Sequence, residues 1–170
     1  MAALKIALAG NPNAGKTTIF NSLTGLHQHT GNWPGKTVEK KEGEIERNGI
    51  QIKIVDLPGT YSLTAYSPEE IVARDYILEE SPDVIINVVD ASNLERNLYL
   101  TVQLLELDVP VVIALNIMDE LQREGADLNL AELSNLLGNI PIIPTTANRD
   151  RGVLELIDMA VKIVQPEMRS

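Results

Sequence analysis

The 170 residues contain no cysteine. Disulfides and thiolate-held metals are therefore excluded, and the composition fits a reducing cytosol. Long apolar runs are also missing. The longest, Val109 to Met118, includes Asn116 and is too short to cross a bilayer. At the N-terminus the apolar residues alternate with Lys5 and lead straight into a glycine-rich loop, which is not the pattern of a secretory leader. Positive charge is scarce, with 14 Lys and Arg against 24 Asp and Glu and a formal net charge of -10. That balance argues against a broad nucleic-acid surface, although a local basic patch would survive it. The rest is 44% hydrophobic and 22% charged, enough for a single soluble domain over residues 1–170 with a substantial core. No internal repeat, low-complexity tract or second domain is visible.

Apolar strands alternate with amphipathic helices, the pattern of an α/β sheet covered on both faces. The spacing predicts six strands, near 4–9, 38–45, 50–55, 84–89, 109–115 and 140–143. Helices are expected up to Thr24-Gly25, from Ser67-Pro68-Glu69-Glu70 to about Glu79, after Asp90, near 130–137 and over 153–164. Asn48-Gly49 is a hairpin signal. Strands 38–45 and 50–55 should thus be antiparallel, with the former at the sheet edge, where its Lys and Glu residues discourage stray pairing. The remaining strands should be parallel. Residues 26–37, with both His, several Gly and Pro and the only Trp, read as a long loop of the kind that usually carries function.

Gly10-Asn11-Pro12-Asn13-Ala14-Gly15-Lys16-Thr17 fits Gly, four residues, Gly-Lys-Thr, and lies between a strand and a helix. A triphosphate crowds negative charge, so its loop must bring backbone N–H groups close, and glycine has no Cβ in the way. Lys16 supplies a point charge for the outer phosphates, the Thr17 hydroxyl suits Mg2+, Thr18 follows on the same turn, and the helix adds its positive end. Such a loop alone distinguishes neither ATP from GTP nor an enzyme from a sensor. Asp56-Leu57-Pro58-Gly59 is by itself an ordinary turn. About forty residues after a phosphate loop, however, its carboxylate can hold Mg2+ through water and the Gly59 N–H can meet a γ-phosphate.

Asn116-Ile117-Met118-Asp119 ends a strand at the side of the sheet where nucleotides bind. A carboxylate at Asp119 can accept from guanine N1–H and the 2-amino group. Adenine offers no such pair and would leave the acceptor unsatisfied. The competing reading is a strand end followed by a helix-capping Asp. Asn116 would tie this loop to the phosphate loop. Thr145-Thr146-Ala147-Asn148 contributes only by position, with the Ala147 N–H available to guanine O6. In the long loop, just after Gly35, Thr37 is the candidate for a second Mg2+-contacting hydroxyl, unless it is simply a solvated loop residue.

Together with Gly31-Asn32-Trp33-Pro34-Gly35-Lys36-Thr37-Val38-Glu39-Lys40-Lys41 and Glu95-Arg96-Asn97-Leu98-Tyr99-Leu100, these motifs resemble the N-terminal G domains of the FeoB family of prokaryotic ferrous iron transporters. The resemblance covers nearly the whole chain, and its most specific part is Gly-Asn-Trp-Pro-Gly. It implies a Ras-like P-loop GTPase fold and GTP hydrolysis to GDP at the cytosolic face of the membrane, coupled to Fe2+ uptake. It also implies continuation into a helical regulatory domain and a transmembrane iron-permeation domain, a capacity for G-domain oligomerisation, and switch roles for residues 26–41 and 57–66, while the acidic balance sets the expectation of no nucleic-acid partner. Related GTPases with Asn at the Asn13 position are activated by K+. Asn13 would be one ligand here, with the Gly31 and Trp33 carbonyls as others, and the residues alone also allow Asn13 as a helix-proximal cap. Lys16, Asn13, Thr37 and Gly59 are then the catalytic group.

Several features depart from this pattern or stand beside it. Thr60 occupies the place where small GTPases often carry a Gln that orients water, so intrinsic turnover should be slow. Lys36 stands where an apolar residue is more usual. Ile117 replaces a Lys whose stem would cover the base, so affinity should be modest. His27 and His29 suit Fe2+ by chemistry but have no obvious third ligand. Trp33 is either a docking anchor or a cover for the nucleotide, with a nucleotide-dependent role preferred. The alternatives in other classes are a non-catalytic GTP/GDP sensor and a ribosome- or tRNA-associated GTPase.

Overall fold

A computed structural model describes residues 3–117 and 129–165, and the elements below are those of the described residues. In chain order they are β1 (Leu4–Gly10), α1 (Lys16–Thr24), β2 (Gln28–Asn32), β3 (Glu39–Arg47), β4 (Ile50–Asp56), α2 (Pro68–Glu80), β5 (Val84–Asp90), α3 (Leu94–Leu105), β6 (Val111–Asn116), α4 (Leu130–Leu136), β7 (Ile142–Thr145) and α5 (Val153–Val164). The strands form one sheet in the order β2-β3-β4-β1-β5-β6-β7. From β4 to β7 all pairs are parallel, and β3 runs antiparallel to both neighbours.

The sheet has seven strands, one more than expected, and the extra one corrects the edge assignment. Gln28–Asn32 lies inside the stretch read as loop, yet it pairs with β3 from Gln28 opposite Gly43 to Asn32 opposite Glu39. It is therefore β2, and not the Lys- and Glu-rich β3, that forms this edge. Gln, His, Thr, Gly and Asn in a row show neither apolar alternation nor strand propensity, so pairing with β3 makes the strand and no local signal announces it. The hairpin between β3 and β4 follows the Asn-Gly rule, since both Asn48 and Gly49 have positive φ, 52° and 79°, as the mirror-image turn requires.

Alternation along β1 divides the core. Ile6 and Leu8 face α1 and α5, where they meet Ile19, Phe20, Leu156, Ile157 and Ala160. Ala7 and Ala9 face α2 and α3, with Val72, Tyr76, Ile77, Leu100 and Leu104. Helix α2 starts where its sequence says it should: Ser67 caps it by accepting the Glu70 N–H at 3.1 Å, with Pro68 in the first turn. No helix among the described residues is long and apolar enough to cross a membrane.

Arg47 of β3 clamps Asp158 of α5 through Nε and Nη2, at 2.9 and 3.1 Å. This pair holds the Asp158 carboxyl below its ordinary range. Stability from a depressed carboxylate is present above its unfolded pKa and fades as pH falls through the folded value. Asp158→Asn should therefore cost under about 1 kcal/mol at neutral pH, because the pair is largely exposed, and nothing in strong acid. Urea unfolding from neutral to acid pH would show the two curves converging.

Candidate functional site

β1 delivers the loop Gly10–Gly15 at the carboxyl end of the parallel strands, and α1 begins at Lys16. The loop holds its own shape through the Ala14 N–H to the Asn11 carbonyl, at 3.1 Å. Asn13 has φ 66°, a left-handed conformation that Asn tolerates better than most residues. It is exposed and does not cap the helix: the N-cap is Gly15, with no side-chain cap bond. Asn11, Pro12, Asn13, Gly15, Lys16, Thr17, Thr18 and Gly59 line one hollow of about 480 Å³. The phosphate-loop residues and the Asp-x-x-Gly glycine thus converge as the sequence predicts.

The convergence is tight. A Cβ on Gly59 would sit 3.1 Å from Pro12 Cα, and the Thr60 N–H donates to the Gly10 carbonyl at 3.0 Å. Thr60, the residue in the usual Gln position, is itself buried. Behind the loop Lys16 Nζ forms an ion pair with Asp56, and the two side chains are 8% and 6% exposed. Burial pushes the Asp56 carboxyl above its ordinary pKa, and the Lys16 ammonium opposes that push without cancelling it. Thr17, exposed and lining the hollow, and the Asp56 carboxylate paired to Lys16 are oxygen donors of the kind that suit a hard divalent cation.

Asn116 performs the expected tie. Its Nδ2 donates to the Ala14 carbonyl at 3.1 Å, and its Oδ1 accepts the Ala147 N–H at 3.4 Å. One side chain therefore clips the phosphate loop to Thr146-Ala147-Asn148. Gly15 is required here: a Cβ would collide with Asn116 Nδ2. Met118 and Asp119, the assigned base readers, lie outside the described residues.

Residues 31–37 are not brought to the hollow. Gly31 sits in β2 opposite Lys40, and Gly35 and Thr37 are exposed in the turn beyond it. Trp33 is 8% exposed and packs edge-on against Tyr76 of α2, with ring centroids 5.5 Å apart. It does not cover the nucleotide hollow in this conformation. His27 and His29 are exposed, and no group of three potential metal-ligating side chains occurs among the described residues. The sequence reading missed Asn87 and Thr101. Thr101 Oγ1 donates to Asn87 Oδ1 at 2.5 Å, and Asn87 Nδ2 donates to the Ala9 carbonyl at 3.3 Å, so α3 is wired to the strand end that carries the loop. An Asn in the middle of an otherwise apolar strand was the available signal.

Against known proteins, the model of the family described as ferrous iron transport protein B matches residues 4–160. A fusion of Fe(2+) transport protein A with Fe(2+) transporter FeoB from Porphyromonas gingivalis is 52% identical over 161 residues, covering 94% of this chain and 19% of that protein. The chain thus spans only about a fifth of the curated relatives it matches. Among solved structures, a mutant S. thermophilus NFeoB bound to GDP superposes with TM-score 0.88 at 52% identity, over 94% of this chain and 62% of that one. The FeoB G-domain of Methanococcus jannaschii gives 0.82 at 48%, over 96% and 98%. Fold, motif order and sequence agree along almost the full length, and the chain belongs to the N-terminal G domains of the ferrous iron transport protein B family.

Proposed function

We propose that this chain binds GTP and hydrolyses it slowly to GDP and phosphate, as the cytosolic G domain of a ferrous iron transporter. The observation that carries this reading is the contact of Gly59 and Thr60 with Pro12 and Gly10. A strand end that touches the phosphate loop feels whether the outermost phosphate is there. The GDP found with the S. thermophilus relative supports the choice of guanine, as does an Asp at position 119.

Water attacks the γ-phosphorus in line, and the bond to the β–γ bridging oxygen breaks. Lys16 leaves Asp56 to meet the β- and γ-oxygens, and the loop amides hold the charge that spreads over the transferring group. Thr17, Thr37 and, through water, Asp56 would hold Mg2+, which neutralises phosphate charge when bound. Asn13, with the carbonyls of Gly31 and Trp33, would hold K+, which supplies the positive charge an arginine finger gives elsewhere. Asn13 already faces the hollow. For the carbonyls, and for Thr37, the 31–37 segment must swing in. The helical regulatory domain and the transmembrane domain would lie in the part of the relatives that this chain does not span.

Phosphate release from GTP and ATP, with Mg2+ in matched KCl and NaCl, tests the reading. GTP should be turned over selectively and several-fold faster in KCl, and Asn13→Ala should erase the salt difference. Equal rates in both salts would remove K+ and leave a GTPase, whereas bound but intact GTP would make the chain a sensor.

A further inference from the structure

Two of the groups that must swing in, Thr37 and the Trp33 carbonyl, belong to one short turn. The Trp33 N–H donates to the Val38 carbonyl and the Trp33 carbonyl accepts the Lys36 N–H, both at 2.9 Å. Residues 33–38 thus form a closed turn that carries Thr37 as a passenger. The Trp33 carbonyl, proposed above as a K+ ligand, meanwhile accepts from Lys36 and is held in the turn. What anchors the turn is the indole, seated on Tyr76, packed in the same cluster as Val55 and Val72, and covered by Lys40, whose Nζ lies 4.7 Å from the ring centroid.

The seat is poised for release. The indole Nε1 is buried with no hydrogen-bond partner among the described residues, a penalty of the same order as the gain from burying the ring. A bistable element needs two states of nearly equal energy, and this imperfect seat supplies one of them. Beside it lies a hollow of about 470 Å³, lined by Trp33, Lys36, Asp75 and Tyr76 among others. That hollow gives the indole an adjacent volume to enter.

We propose that Trp33 is a latch: while its indole is seated against Tyr76, Thr37 and the Trp33 carbonyl are both kept from the phosphate site, and GTP turnover requires the indole to leave. The proposal rests on the assignment of Thr37 as a Mg2+ ligand. It makes delivery of Thr37 and of the Trp33 carbonyl one event instead of two. It also assigns α2, through Tyr76, a say in when the site completes, because anything that moves α2 changes the seat.

Trp33 is the only tryptophan, so its emission reports the latch directly. The chain would be compared with GDP and with a non-hydrolysable GTP analogue, both with Mg2+ and KCl, by emission wavelength and acrylamide quenching. The analogue should shift emission to the red and raise the quenching constant. Tyr76→Leu, which keeps the core filled but removes the aromatic edge, should show the red-shifted emission already with GDP and turn over GTP about fivefold faster. If bound analogue leaves the emission shielded while Thr37→Ala abolishes turnover, the latch is wrong and the Mg2+ assignment stands. If Thr37→Ala turns over GTP like the parent, the Mg2+ assignment fails and the latch with it. The emission measurement uses the parent chain, so it decides the matter even where Tyr76→Leu folds poorly.

Discussion

Lys16→Ala is expected to damage the protein twice, once with nucleotide and once without. With GTP, turnover should fall by at least about a hundredfold, the usual effect of removing a positive group from a site where charge develops. Without nucleotide, the variant should also be less stable at neutral pH, by on the order of 3 kcal/mol. The reason is that Lys16 and Asp56 are paired and nearly inaccessible in the resting structure. Removing the cation leaves a carboxylate in a site that already disfavours its charge.

The sign of the pH dependence follows. A carboxyl whose folded pKa lies above its unfolded value destabilises the fold at high pH, and the penalty vanishes as pH falls through the folded value. The stability gap between Lys16→Ala and the parent should therefore narrow in mild acid. Urea unfolding at neutral and mildly acid pH checks this. A gap that stayed constant would mean that the loss comes from packing of the lysine stem. Full stability at neutral pH would mean that the pair does not form in solution. On the proposed function, nucleotide binding would begin with an exchange, in which phosphate replaces Asp56 as the partner of Lys16 and frees the carboxylate.

The convergence of the phosphate-loop motifs was legible because their residue pattern is local. Gly15, Lys16 and Thr17 follow one another in sequence, and Asp56 and Gly59 are separated by a single turn. The antiparallel hairpin was equally legible, since Asn48-Gly49 leaves the backbone few alternatives. What could not be read was set by partners far along the chain. β2 exists because Lys40 and its neighbours supply the other half of the ladder. For Trp33 the sequence left a docking anchor and a cover for the nucleotide both open, because its neighbours in space belong to α2 and not to the loop that carries it. Asn87 and Thr101 were hidden in runs that read as core. A polar side chain inside an apolar run is ambiguous until its partner is known, and no periodicity identifies that partner.

The second large effect is expected at Gly15. Its φ of 100° is a conformation that L side chains rarely adopt, and a Cβ there would strike the Asn116 amide. Gly15→Ala must therefore either bend the phosphate loop or push Asn116 away from both groups it holds, the Ala14 carbonyl and the Ala147 N–H. In the first case phosphate affinity falls, and in the second the base loop loses its tie. GDP affinity should drop at least about a hundredfold either way, because two parts of one bound ligand can no longer be met together. Asn116→Ala cuts the tie without straining the backbone and should cost about tenfold. The two changes touch the same contact, so they should not add. Combining them removes the collision and leaves only the strained φ, and the double variant should bind GDP more tightly than Gly15→Ala alone. Titration of a fluorescent GDP derivative with the parent and the three variants measures this. A double variant weaker than Gly15→Ala would show that backbone strain at residue 15, and not the Asn116 clip, sets the geometry of the nucleotide site.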